Sequence, residues 1–157
     1  MAESVTVRVD GMKELEEVLL NETPKKVRAA VRPALRECGE WMKDLISEAA
    51  PMNDEEWAHE RGFLRANIIS RVTISAKNDE ATVSVGPNQN AFYGAFVELG
   101  HRLVRGGYSR TTLFGSRGPG REIGIVPPHP FVRTTFEMHE QAWLDMLTEK
   151  LRENVGL

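Results

Sequence analysis

Residues 24–49 read PKKVRAAVRPALRECGEWMKDLISEA, and the fold follows from how that stretch is read. Thr23 suits an N-cap, and Pro24 suits the first helical position, where a missing N–H costs nothing. Val27, Val31, Ala34, Cys38, Trp41 or Met42, Leu45 and Ala49 recur three or four residues apart, the spacing of one apolar helix face. Such a helix would be about 39 Å long at about 1.5 Å per residue. Pro33 lies in its interior and predicts a bend there or a break after Arg32, because it offers no N–H and its ring crowds the preceding turn. Pro51 limits the far end.

Working outward, residues 5–9 alternate as a strand with one apolar face, and residues 12–20 place Leu15, Val18 and Leu19 on one side of a short helix. Residues 62–69 predict a short helical segment. Residues 70–76 and 81–86 alternate polar with apolar as the arms of a hairpin. A helical pattern returns over 91–99, with Phe92, Ala95, Phe96 and Leu99 on one face, and Gly100 ends it. Residues 101–121 show no sustained period and predict a long loop, rare in compact domains unless functional or disordered. Residues 123–126 predict a strand, and the prolines from Pro127 to Pro130 an extended link. The last helix spans 131–154, with Phe136, His139 or Glu140, Trp143, Met146 or Leu147, and Leu151 on its apolar face. Together these elements predict one α+β domain over residues 1–157. A small antiparallel sheet packs against a long N-terminal helix and a C-terminal helix, and a long Arg/Gly-rich loop projects from it.

The residues that reaction chemistry needs are scattered. His59, His101, His129 and His139 share no metal spacing, and position 143, where a zinc-protease helix would place its second histidine, is Trp. Cys38, the single cysteine, sits at a core position of a helix and reads as a buried thiol. The glycines at 106–107 and 115–120 lack the Gly-Lys-Ser/Thr ending and the strand-to-helix setting of a phosphate loop. The serines lack a nucleophile-elbow context. No enzyme, cofactor or metal is expected on these grounds. The residues after Met1 show no basic region leading into an apolar run, and no apolar stretch approaches the roughly 20 residues of a bilayer span, so cytosolic synthesis is expected.

Charge is distributed unevenly. The chain carries a formal −3, yet residues 101–121 hold Arg102, Arg105, Arg110, Arg117 and Arg121 with no acidic residue, a local +5 against −8 elsewhere. Phosphates and acidic protein patches both fit such a segment. Tyr108 and Phe114 are its only aromatics, too few for a base-stacking platform. Trp57, within a polar acidic stretch, reads as a candidate interface residue, whereas Trp41 and Trp143 lie on apolar helix faces and read as core.

Three stretches, in order, resemble the HK97 gp10-like family of phage neck and tail-completion proteins. They are Val5 to Leu15, then Ala50-Pro51 with Gly62-Phe63-Leu64-Arg65-Ala66-Asn67-Ile68, and finally Phe92 to Gly100 followed by Pro130-Phe131-Val132-Arg133 and a terminal helix. The resemblance implies a small, non-enzymatic α/β subunit of a virion, assembled in host cytoplasm as a ring where the capsid portal meets the tail. It would touch its own copies, neighbouring connector and tail proteins, and the DNA exit path. It also implies that Gly62, Leu64, Tyr93, Glu98, Gly100, Pro130 and Phe131 are scaffold positions. The chain departs from the family in the stretch Asn53 to Arg61, in Gly100-His101 where Gly-Thr is usual, and in the long 101–121 segment. A minor tail or tail-terminator protein differs from this expectation mainly in its neighbour. A small DNA-binding regulatory protein using the arginines would differ by salt-dependent binding of short duplexes.

Overall fold

A computed structural model describes residues 24–52, 60–75, 80–105 and 121–155. The strand expected at 5–9 and the helix at 12–20 lie outside the described residues, as do Trp57, Tyr108, Arg110, Phe114 and Arg117. In order, the elements are α1 (Pro24–Ala49), α2 (Phe63–Ala66), β1 (Ile68–Ile74), β2 (Ala81–Pro87), a 3-10 turn (Gln89–Ala91), α3 (Gly94–Leu99), β3 (His101–Arg105), β4 (Arg121–Val126) and α4 (Phe131–Val155). Small antiparallel pairs of strands with long N- and C-terminal helices make the architecture α+β. The length predicts one domain, and the chain resolves into two compact units, Met1–Ala91 with Phe131–Leu157, and Phe92–Pro130.

In the first unit, α4 and the β1–β2 ribbon both pack on α1. The helix runs unbroken through Pro33, whose position is exposed, so the break considered after Arg32 does not occur. The buried positions of α1 are Ala30, Ala34, Leu35, Cys38, Gly39, Met42 and Ile46, and Ala50 continues the row. This shifts part of the expected stripe. Val27, Val31 and Leu45 are only half-buried, and Ala49 is exposed. The cause is that α1 buries two sides, one under α4 and one over the ribbon, so its core widens beyond the single face that periodicity assumes.

The α1–α4 seam is antiparallel. Trp143 Nε1 donates to the Cys38 carbonyl at 3.2 Å, Asn154 Nδ2 to the Ala30 carbonyl at 3.1 Å, and Lys150 Nζ lies 3.2 Å from Glu37 Oε2. Phe131, Thr135, Trp143, Leu147 and Leu151 are the buried side chains of α4, spaced by fours or eights like the row on α1. Burial pushes the Cys38 thiol up to about 11, with Glu37 nearby acting in the same direction. Trp41 is half-buried and meets His139 edge-on, with ring centroids 6.0 Å apart.

The ribbon approaches α1 at Gly39. A methyl group there would collide with Ser70 Oγ and lie 3.2 Å from Val83 Cγ1. β1 and β2 pair in register from Ile68↔Pro87 to Ile74↔Ala81, with Ile68, Ser70, Val72 and Ile74 the less exposed positions of β1. The strands start two residues earlier than expected for β1 and run one residue longer for β2. The helical segment expected over 62–69 shrinks to Phe63–Ala66.

We expect Trp143→Ala to lower stability by about 3–5 kcal/mol in an isothermal urea titration. Gly39→Ala should cost about 1–3 kcal/mol through overpacking, despite alanine's better helix propensity, and Gly39→Leu more. The Cys38 thiol should resist an aromatic disulfide reagent at pH 8 in the native protein and titrate as one group in denaturant.

A candidate protein interface

The segment Gly62 to Ile68 shows how the first unit is tied. Gly62 takes φ +80, left-handed backbone that suits glycine, and turns the chain into α2. Leu64 enters the core. Arg65 Nε donates to the Ala50 carbonyl at 2.7 Å, closing the end of α1 with a charge-assisted bond. Asn67 Nδ2 donates to the Phe63 carbonyl at 2.8 Å, while Asn67 Oδ1 accepts from Asn88 Nδ2 at 3.0 Å. Asn88 Oδ1 in turn accepts the N–H of Asn90 at 2.8 Å, starting the 3-10 turn. Asn67 and Asn88 thus pin the start of β1 to the end of β2. Sequence reading singled out Gly62 and Leu64 here and missed Arg65, Asn67 and Asn88. Asn-x-Asn at 88–90 was the available signal.

The second unit has a different character. α3 leads through Gly100 into β3, which pairs antiparallel with β4, with an irregularity between Leu103 and Val104. Gly100 is required there. Its φ is +71, and an added Cβ would lie 2.7 Å from the Val126 carbonyl oxygen and 2.8 Å from Pro128 N. The His129 N–H donates to the Val97 carbonyl at 2.8 Å, fastening the proline-rich link to α3. Tyr93 and Glu98 are half-buried, and burial raises the Tyr93 phenol above its ordinary value. Pro130 is half-buried, and Phe131, in the first unit, is fully buried.

The loop expected over 101–121 is in part a ribbon. Residues 101–105 form β3, and β4 begins at Arg121, not 123; helix 91–99 likewise starts only at Gly94. Five residues are too few for alternation to declare itself. β3 exists because β4 supplies its hydrogen-bonding partners from about twenty residues away.

Of the arginines expected at the site, Arg102 is exposed, with Nη1 3.5 Å from Glu122 Oε2, and Arg105 is the register partner of Arg121. Leu103, Val104, Ile123 and Ile125 share this ribbon and are exposed, as are Phe92, just before α3, and Phe96 and Leu99 within it. Among the described residues, seven of the ten exposed large hydrophobic side chains fall in this unit, a quarter of the chain. Phe92 and Phe96 meet edge-on at 6.3 Å, and Phe96 leans on His101 at 5.6 Å. Apolar surface this concentrated makes the unit a candidate contact surface. Composition hid it, because these residues read equally well as core.

Among the described residues no cluster of His, Cys, Asp or Glu could hold a metal ion, and no helix is long and apolar enough to cross a membrane. No curated protein and no solved structure matches the chain. A family model does match, over residues 14–100, more than half the chain and from before α1 to the end of α3. Its description is "Bacteriophage HK97-gp10, putative tail-component". The tied scaffold of α1, α2 and the β1–β2 ribbon lies within that match, and the chain belongs to the HK97-gp10-like family.

Proposed function

We propose that this protein is a structural subunit of the head–tail connector or tail-completion ring of a tailed bacteriophage or prophage. Its work is to present surface to neighbouring chains. Identical copies close a ring around the DNA channel, and the 101–121 segment docks on neighbours or lines the channel. Family membership supports the tail-associated role. The observation that carries the assembly reading is the exposed apolar surface of Phe92–Pro130: Phe92 and Ile125 are 67% and 69% exposed, a costly arrangement for a protein that works alone. The local +5 of residues 101–121 favours a second reading, a small DNA-binding regulator.

Sedimentation velocity and light scattering on the purified protein, alone and mixed with tail-less heads or free tails, test the first reading. We expect self-association or incorporation into particles, weakened about tenfold or more by Phe96→Ser with Ile125→Ser. A protein that stays monomeric and joins no particle removes the ring. Binding of short duplex DNA by the isolated subunit at physiological salt, falling steeply as salt rises, would favour the regulator instead.

A further inference from the structure

Two surfaces among the described residues carry matching chemistry. The first is the β3–β4 ribbon, where Leu103, Val104, Ile123 and Ile125 are exposed and positions 102, 105 and 121 are arginine. Its unit holds five arginines against Glu98 and Glu122, a formal +3, while the rest of the chain carries −6.

The second surface is the outward side of α4. Met138, Gln141, Ala142, Asp145 and Glu149 follow the spacing of one helix face, and all are exposed. Met138, at 75%, is the most exposed large hydrophobic side chain described. Asp145, Glu149 and Glu153 set carboxylates along it, with exposed Arg152 among them and Lys150 Nζ 3.2 Å from Glu153 Oε2, and Asp145, Thr148, Glu149, Arg152 and Glu153 line a shallow depression.

We propose that the β3–β4 ribbon of one copy docks on the outward face of α4 of a second copy. Ile123 and Ile125 cover Met138 and Ala142, and the net positive charge of the ribbon meets the net negative charge of α4. This rests on the ring reading and names the surfaces that would build it. Both sides join exposed apolar side chains to opposite net charge, β3 and β4 carrying Arg102, Arg105 and Arg121 against Glu122, and α4 five carboxylates against Arg133, Lys150 and Arg152, which guides encounter and disfavours wrong pairings. Ribbon against ribbon would set +2 on +2, counting Arg102, Arg105 and Arg121 against Glu122. A contact between two different surfaces is heterologous, and repeated copies close a ring when the rotation allows.

The test mixes two full-length proteins, one with Ile125→Cys and one with Met138→Cys, distinguished by size tags and oxidised gently. Cys38 stays in place because it is buried. We expect the mixed disulfide dimer to exceed either self-linked dimer by about tenfold, since docking raises the local thiol concentration. Asp145→Lys with Glu149→Lys in the acceptor should remove that excess, and Arg102→Glu with Arg121→Glu in the donor should restore part of it. A dominant Ile125→Cys self-linked dimer overturns the proposal in favour of ribbon-on-ribbon pairing. Absence of any cross-link while the wild type still sediments as an oligomer overturns it and leaves the ring reading standing. Absence of any cross-link from a protein that remains monomeric removes both.

Discussion

The close approach of α1 to its two neighbours is the constraint on which the first unit depends. Small residues make it possible. Ala30, Ala34 and Cys38 leave room along α1 for the large side chains of α4, and Trp143 comes near enough to hydrogen-bond the Cys38 carbonyl. On the other side Gly39 has no room for a methyl group beneath Ser70 and Val83. Interiors pack to crystal-like density, so the identities of these few small residues set the spacing of helix, helix and ribbon together. The ion pair of Lys150 with Glu37 is largely exposed and adds little by comparison.

The polar ties at the ends of these elements answer the same need. A helix end leaves carbonyls without partners, and Arg65 takes that of Ala50. The Asn67–Asn88 pair supplies directional bonds where α2 meets β1 and where β2 ends, keeping both strands in one register. The segment from Gly62 to Ile68 thus acquires a physical meaning: a left-handed turn, a core anchor, a helix cap and a strand pin within seven residues. None of those roles involves reaction chemistry. They hold a frame.

The second unit spends stability where the first accumulates it. A two-stranded ribbon is marginal in water without a third partner, and here its apolar side chains are left largely in solvent. Gly100 and the His129–Val97 hydrogen bond fix the geometry of this unit by backbone contacts, independently of its exposed side chains. The assembly proposed above would resolve the conflict between exposure and stability, because association buries what folding leaves out.

The long helices were legible in the sequence because their patterns span many turns. The limits of α1 match to the residue, and Trp143, Leu147 and Leu151 lie on the buried face expected of α4. The arginine excess of residues 101–121 and the isolation of Cys38 were equally plain, since charge and count need no coordinates. Tertiary structure alone decided which faces of α1 are buried, because a helix covered on two sides departs from the single stripe that periodicity reads. It also decided that residues 101–105 are strand, a pairing set by a distant segment. Above all it decided that Phe92, Phe96, Ile123 and Ile125 lie outside the core: hydrophobicity records the gain from leaving water, and only the folded arrangement determines whether that gain is taken within one chain or between chains.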